Sequence, residues 1–176
     1  TLEAKGLVEA RAKVGTRVLP RSRWSFFDRQ VLGWVLESGP TDSFMAGFRL
    51  VRRGLEVEAA RLAATHRDAE HIRLMNYWLN QREKMAEQPE PFALAEFEFH
   101  RVLAEASANP FLRSATALVE FGIATEVGAR LGPGGEAPPE GLAQARSELY
   151  ARLIAAVETS RPDEAAMLMA TLLDMG

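Results

Sequence analysis

The 176-residue chain contains no cysteine. That excludes a disulfide framework, a thiolate metal site and a thiol nucleophile, and it fits a reducing cytoplasm. No apolar run approaches the ~18 residues that a membrane-spanning helix needs. No charged-then-apolar leader opens the chain, so no secretory signal is expected. The first residue is Thr1, in mid-pattern, rather than Met, so these residues are expected to continue a longer natural protein. Enzyme signatures are also missing. There is no HExxH, no phosphate-cradling GxxxxGK, no GxGxxG and no Gly-x-Ser-x-Gly elbow. Only three histidines occur, His66, His71 and His100. Ala63, Asp68 and Phe97 stand three residues before them, so the Glu-x-x-His of a di-iron bundle is absent.

What remains suits one well-packed domain with an appendage. Hydrophobic residues make up 47% and charged residues 26%, enough to bury a core. The net charge of −3 is unevenly spread. Residues 1–24 carry Lys5, Arg11, Lys13, Arg17, Arg21 and Arg23 against Glu3 and Glu9, a surplus of four, which leaves −7 for the rest. A basic end on an acidic body points to a polyanion partner at that end, or to a solvated basic turn.

Residues 1–19 differ from those that follow. Thr1–Lys5 reads as the last turn of a helix, with Gly6 just past its end. Leu7–Ala10 and Thr16–Leu19 are short β-type runs around a basic turn, Arg11–Gly15, in which Gly15 is free to take positive φ. A lone hairpin is marginal in water, so sequence upstream is expected to support it. Residues 20–40 read as a linker holding one short helix, about Asp28 to Glu37.

From Thr41 the periodicity is helical almost throughout, and residues 41–176 are expected to form an all-α, antiparallel bundle of six to seven helices. Thr41, Asp42 or Ser43 caps a helix to about His66, with Phe44, Phe48, Val51, Leu55, Ala59 and Leu62 on one stripe. Asp68 caps the next, to about Ala86, with Ile72, Met75, Trp78 and Leu79 inward. Further helices are expected over about Phe92–Ser107, from Asn109-Pro110 to about Leu131, over Glu140–Thr159 and over Asp163–Asp174. The loop before Glu140 carries Gly132-Pro133-Gly134-Gly135 and Pro138-Pro139.

Two constellations carry chemistry. Glu96 and His100 are four apart, about 40° apart around a helix axis. Glu96 borders the face of Phe92, Phe99 and Leu103, and His100 sits just beyond it. Such a pair takes one divalent ion or one polar ligand, or is a plain i, i+4 pair on a helix shoulder. Arg52 lies about 40° from Phe48 and is the arginine of its helix nearest the core. An inward guanidinium is a planar fork for a carboxylate; the alternative is an ion pair with Glu56.

These pieces together resemble a bacterial transcription regulator of the GntR family, FadR type, with an all-helical FCD effector domain. Leu2–Arg11 with Val14–Val18 is similar to the end of a winged helix–turn–helix domain. Arg52-Arg53-Gly54-Leu55-Glu56 is similar to the R-x-x-L-E stretch that opens the effector domain. Glu96–His100 followed by Ser107-Ala108-Asn109-Pro110 resembles the family's D-x-x-F-H and small-Asn-Pro stop. The resemblance implies a homodimer, operator DNA as partner and a small carboxylate effector held in the bundle, a sugar acid first among them. It implies effector contacts from Arg52, Glu96, His100 and Tyr150, and DNA contacts from the remnant wing at Lys13, Gly15, Thr16 and Arg17. Many members hold a divalent metal such as zinc, nickel or manganese on an Asp and three His. Here only Glu96 and His100 match those ligands; Tyr150 and about Leu172 stand where the others would be, which leaves a metal-free pocket open. The recognition helix itself is not among these residues. The rival readings are a metal-dependent helical enzyme with Glu96 as base, and a helical adaptor without small ligand. Arg52 and Glu96 facing one cavity would count against the adaptor.

Overall fold

Side-chain caps mark where the helices start. Asp28 accepts from the backbone N–H groups of Gln30 at 2.9 Å and Val31 at 3.1 Å and opens α1 (Arg29–Ser38). Thr41 accepts from Phe44 N–H at 3.2 Å and opens α2 (Asp42–His66). Asp68 and His71 form a reciprocal capping box at the start of α3 (Ala69–Lys84). α4 (Pro89–Ala106) starts on a proline, whose missing N–H costs nothing in a first turn. The Asn109 side chain caps α5 (Pro110–Ser114). Then follow α6 (Thr116–Leu131), α7 (Leu142–Glu158) and α8 (Pro162–Asp174).

The computed structural model describes residues 1–131, 139 and 141–175. The expected turn at Gly132–Gly135, Pro138 and the expected helix start at Glu140 lie outside them. The helix expected from Asn109-Pro110 to Leu131 is two helices. The Ala115 N–H closes a tight i→i+3 bond onto the Leu112 carbonyl at 3.2 Å, which ends α5 before α6 begins.

The first strands form a two-stranded antiparallel hairpin, β1 (Val8–Arg11) with β2 (Gly15–Val18), in a register that sets Val8 opposite Val18 and Arg11 opposite Gly15. Gly15 takes φ 95° at the turn, beside Lys13 at φ 66°. The hairpin is tied to the linker. The Leu19 N–H donates to Leu7 O at 2.7 Å, the Ser25 N–H donates to Lys5 O at 2.9 Å, and Lys5 pairs with Asp28. Gly6, at φ 74°, lies against the Arg23 carbonyl, where a Cβ would stand 2.1 Å from the oxygen.

In the bundle, α4 packs against α3 and also against α2 and α6, while α8 packs along α2 and α7. Alanines at 59, 60, 63 and 64 of α2 and at 165 and 166 of α8 are buried, so these two helices approach closely. Apolar burial falls into two clusters. The larger holds Phe99, Leu103, Met75, Leu153 and Met169; the smaller holds Leu32, Val35, Phe48, Leu118 and Phe121. The stripe expected on α2 is turned toward its polar side. Val51 is 44% exposed, whereas Arg52 and Glu56 are 6% and 5% exposed. Arg52 and Glu56 thus sit between Phe48 of the smaller cluster and Ala60 of the larger one.

Candidate functional site

The seam between the two clusters is filled by charge. α2 contributes Arg52 and Glu56, α3 Arg82, α4 Glu96 and His100, α6 Glu126, and α7 Arg146 and Tyr150. Burying such groups singly is expensive, and here each finds partners. Arg52 Nε donates to Glu56 Oε2 at 2.5 Å, and Arg52 Nη1 donates to Glu126 Oε1 at 2.6 Å. Glu96 accepts from Arg82 Nε at 3.3 Å, from Arg146 Nη2 at 3.0 Å and from the Tyr150 hydroxyl at 3.0 Å. His100 Nε2 lies 2.9 Å from the same hydroxyl. With one phenolic proton given to Glu96, that oxygen is left to accept from His100. His100 Nδ1 touches the Glu56 carboxylate without an aligned hydrogen bond. Arg146 Nη2 stands 3.8 Å from Glu126 and closes the loop back to Arg52. Three guanidiniums therefore face three carboxylates around one ring of helices.

The charges hold each other in place. Burial raises the Glu56 and Glu96 carboxyls, but nearby cations outweigh it. His100 and Arg52 bring Glu56 down to about 2, and Arg82 with Arg146 brings Glu96 down to about 2. Burial opposes the charge on Arg52, yet Glu56 and Glu126 raise its pKa above the ordinary arginine value. Burial, then the Glu96 charge, pushes the Tyr150 phenol well above its usual range, so it stays a donor. The Tyr150 ring stacks edge-on to Phe99 at 4.9 Å, and the Arg82 guanidinium lies over Phe92 at 4.7 Å and over Tyr150 at 4.8 Å.

A cavity of about 1410 Å³ opens beside this ring. Phe48, Phe92 and Ile123 give it apolar walls, and Arg52, Arg82 and Arg146 reach it, as do Glu96 and Glu126. Of the four residues expected at an effector site, Arg52 and Glu96 line the cavity. His100 and Tyr150 do not; they stand behind Glu96, 3% and 1% exposed. The spacing sets His100 just beyond the apolar face, but Glu56 of α2 and the Tyr150 side chain of α7 cover that shoulder. Arg52 makes the ion pair with Glu56 and also lines the cavity. The four residues expected to contact DNA, Lys13, Gly15, Thr16 and Arg17, lie exposed along the hairpin turn and β2.

Glu96 and His100 do not suit a divalent cation. Both oxygens of Glu96 accept from guanidiniums, and an ion there would stand against two positive charges. Among the described residues no group of three or more His, Cys, Asp or Glu is arranged to hold a metal.

Sequence reasoning missed Arg82, Glu126 and Arg146, and took Glu56 only as a partner for Arg52. A signal existed for two of them. Arg82 follows Met75 and Leu79 at helical spacing, and Arg146 precedes Tyr150 and Leu153 at four and seven. Gly122 was also missed. A Cβ there would stand 2.3 Å from Arg52 Nη1 and 2.8 Å from Cζ, so the bare backbone of α6 is the floor under the guanidinium.

Comparison with known proteins gives the family of the chain. Residues 49–175 match the FCD domain. The chain is 35% identical over 120 residues to the uncharacterized HTH-type transcriptional regulator YieP of Escherichia coli K12, which covers 67% of the chain and 52% of that protein. It is 29% identical over 113 residues to the galactonate operon transcriptional repressor of Escherichia coli K12, covering 64% of the chain and 49% of that protein. The chain thus spans about half the length of the curated relatives it matches. Its fold is similar to that of Streptococcus agalactiae GntR, with a TM-score of 0.63 at 19% identity over 99% of this chain and 75% of that one. The helical bundle and the match over residues 49–175 agree: the chain belongs to the FCD-domain family of GntR-type regulators.

Proposed function

We propose that this chain is the effector-binding, dimerising part of a transcriptional regulator, and that its cavity takes a small carboxylate, a sugar acid first among them. The observation that carries the reading is Arg52. It is a buried guanidinium at the wall of a cavity of about 1410 Å³, aimed by Glu56, with Arg146 lining the same cavity. A planar fork in a desolvated wall binds a carboxylate strongly and directionally. Glu96, with His100 and Tyr150 behind it, holds Arg82 and Arg146 in position. The likeness to a galactonate operon repressor supports sugar acids as the first class to try. Operator DNA is the partner of the whole regulator, through an N-terminal winged helix–turn–helix domain, with Lys13, Gly15, Thr16 and Arg17 contributing backbone contacts from the wing.

Arg52 and Glu96 line the same cavity, which counts against an adaptor without small ligand. An enzyme with Glu96 as general base has less support, because a carboxyl held at about 2 is a poor base near neutral pH. The donor set favours a pocket that works without zinc, nickel or manganese. No helix among the described residues is long and apolar enough to cross a membrane.

Calorimetric titration with D-galactonate and D-gluconate, against sorbitol as the uncharged control, tests the reading. The sugar acids should bind, with or without added metal ions, and sorbitol should not. Arg52→Lys keeps the charge and loses the fork. It should weaken binding by about tenfold or more, the value of one charge-assisted hydrogen bond. Unchanged affinity in that variant would remove Arg52 from the binding role.

A further inference from the structure

The three carboxylates of the ring are not equivalent. Glu56 and Glu96 are nearly sealed, with side chains 7% and 3% exposed; Glu56 does not line the cavity, and Glu96, which does, has both oxygens taken by Arg82, Arg146 and Tyr150. Glu126 is 30% exposed and lines the cavity. It reaches in from α6 and places one oxygen 2.6 Å from Arg52 Nη1 and the other 3.8 Å from Arg146 Nη2. Arg52 is divided between two acids: Nε donates to the sealed Glu56, and Nη1 donates to the cavity-lining Glu126. The seat that an incoming carboxylate would choose already holds a carboxylate of the protein itself.

From this geometry we infer that Glu126 is a built-in stand-in for the ligand, which a carboxylate entering the cavity must displace from Arg52 and Arg146. The inference rests on the proposed carboxylate-binding function and specifies its chemistry. The exchange conserves charge in the ring: one carboxylate leaves two guanidiniums and another takes its place. Glu126 turns to the solvent that already reaches it. A neutral ligand cannot make this exchange, because Arg52 and Arg146 would be left short of a counter-charge in a buried wall. The seat therefore selects for anions and discriminates against the corresponding polyols. Glu126 is also an ionic tie from α6 to α2 and α7, and the exchange removes that tie. A tethered competitor acts at high effective concentration and lowers the apparent affinity of the free ligand.

The test compares the wild-type chain with Glu126→Gln by calorimetry, using D-gluconate, acetate as a minimal carboxylate, and sorbitol. Glu126→Gln keeps the shape and removes the competing charge. It should bind D-gluconate and acetate about ten- to a hundredfold more tightly than wild type, the range of one released charge-assisted hydrogen bond. Sorbitol should bind neither protein. If wild type binds D-gluconate and Glu126→Gln binds it no more tightly, the stand-in role is wrong while the carboxylate pocket survives. If only Glu126→Gln binds acetate and D-gluconate, the stand-in role holds. If neither protein binds either anion, both readings fall together. Should Glu126→Gln fail to fold, Glu126→Asp decides the matter. Its carboxylate is withdrawn by one methylene from Arg52, so it should tighten acetate binding in the same direction, and equal or weaker binding overturns the inference.

Discussion

Replacing Gly122 with alanine isolates the position of Arg52 from every other feature of the ring. The added methyl would lie 2.3 Å from Nη1, 2.8 Å from Cζ and 3.1 Å from Cδ of Arg52. A free arginine tip would swing aside at little cost. This one is 6% exposed and held by Glu56 and Glu126, so moving it breaks or stretches those contacts. Hydrogen bonds to charged groups are worth about 1.5–3 kcal/mol each. Against this, glycine to alanine in a helix interior returns about 1 kcal/mol. The net expectation is a loss of roughly 1–4 kcal/mol, a fall in melting temperature of about 2–4 °C for each kcal/mol. Gly128 supplies the control in the same helix: no atom lies within 4 Å of a Cβ placed there. Gly128→Ala should therefore stabilise by up to about 1 kcal/mol, from helix propensity alone. Urea denaturation of both variants gives the comparison, and opposite signs are the expected result. If Gly122→Ala proved as stabilising as Gly128→Ala, Arg52 would not be seated on the α6 backbone, and the reasoning about the cavity wall would fail with it.

Two further outcomes follow from the same ring. Tyr150→Phe keeps the packing against Phe99 but takes a donor from Glu96 and the partner from His100 Nε2. It should lower the urea midpoint by the equivalent of about 1–3 kcal/mol with an unchanged slope, and a loss within ordinary surface-substitution scatter of about 0.5 kcal/mol would dissociate the phenol from the network. Acid should unfold the chain through Glu56 and Glu96. Both sit at about 2 when folded, below the ordinary 4.5. The unfolded chain therefore binds more protons between these values, and the stabilisation, complete above about pH 5, drains away as pH falls toward 2. Urea midpoints measured down through this window should drop steeply, and less steeply in Glu56→Gln; parallel curves would show that Glu56 is not held low by its partners.

The hydrophobic period and the capping residues made the helices legible in the sequence. Asp68 and the Asn109-Pro110 stop stand at helix boundaries because a cap is a local interaction, complete within four residues of chain. Arg52 and Glu96 were legible as inward charges for the same reason, since position on a helix face depends only on spacing. Burial depth was not. Val51 and Arg52 are neighbours on α2, and which of them meets the interior depends on where α6 and α8 lie, which no local spacing encodes. The single helix expected from Asn109 to Leu131 failed at Ala115 because a tight turn there breaks a continuous helical pattern.

The sequence by itself determined the class of fold, the order of the helices, the basic hairpin ahead of them and two charges facing inward, all consequences of contacts between residues close along the chain. Only the tertiary structure decided that Arg82, Glu126 and Arg146 join those two, that His100 and Tyr150 stand behind the cavity wall, and that Gly122 makes room for Arg52. These depend on contacts between helices as much as 74 residues apart, as in the pair of Arg52 with Glu126. A charged residue at an apolar spacing reads as a helix shoulder until its counter-charge arrives from another helix, and only the packing of the bundle brings it there.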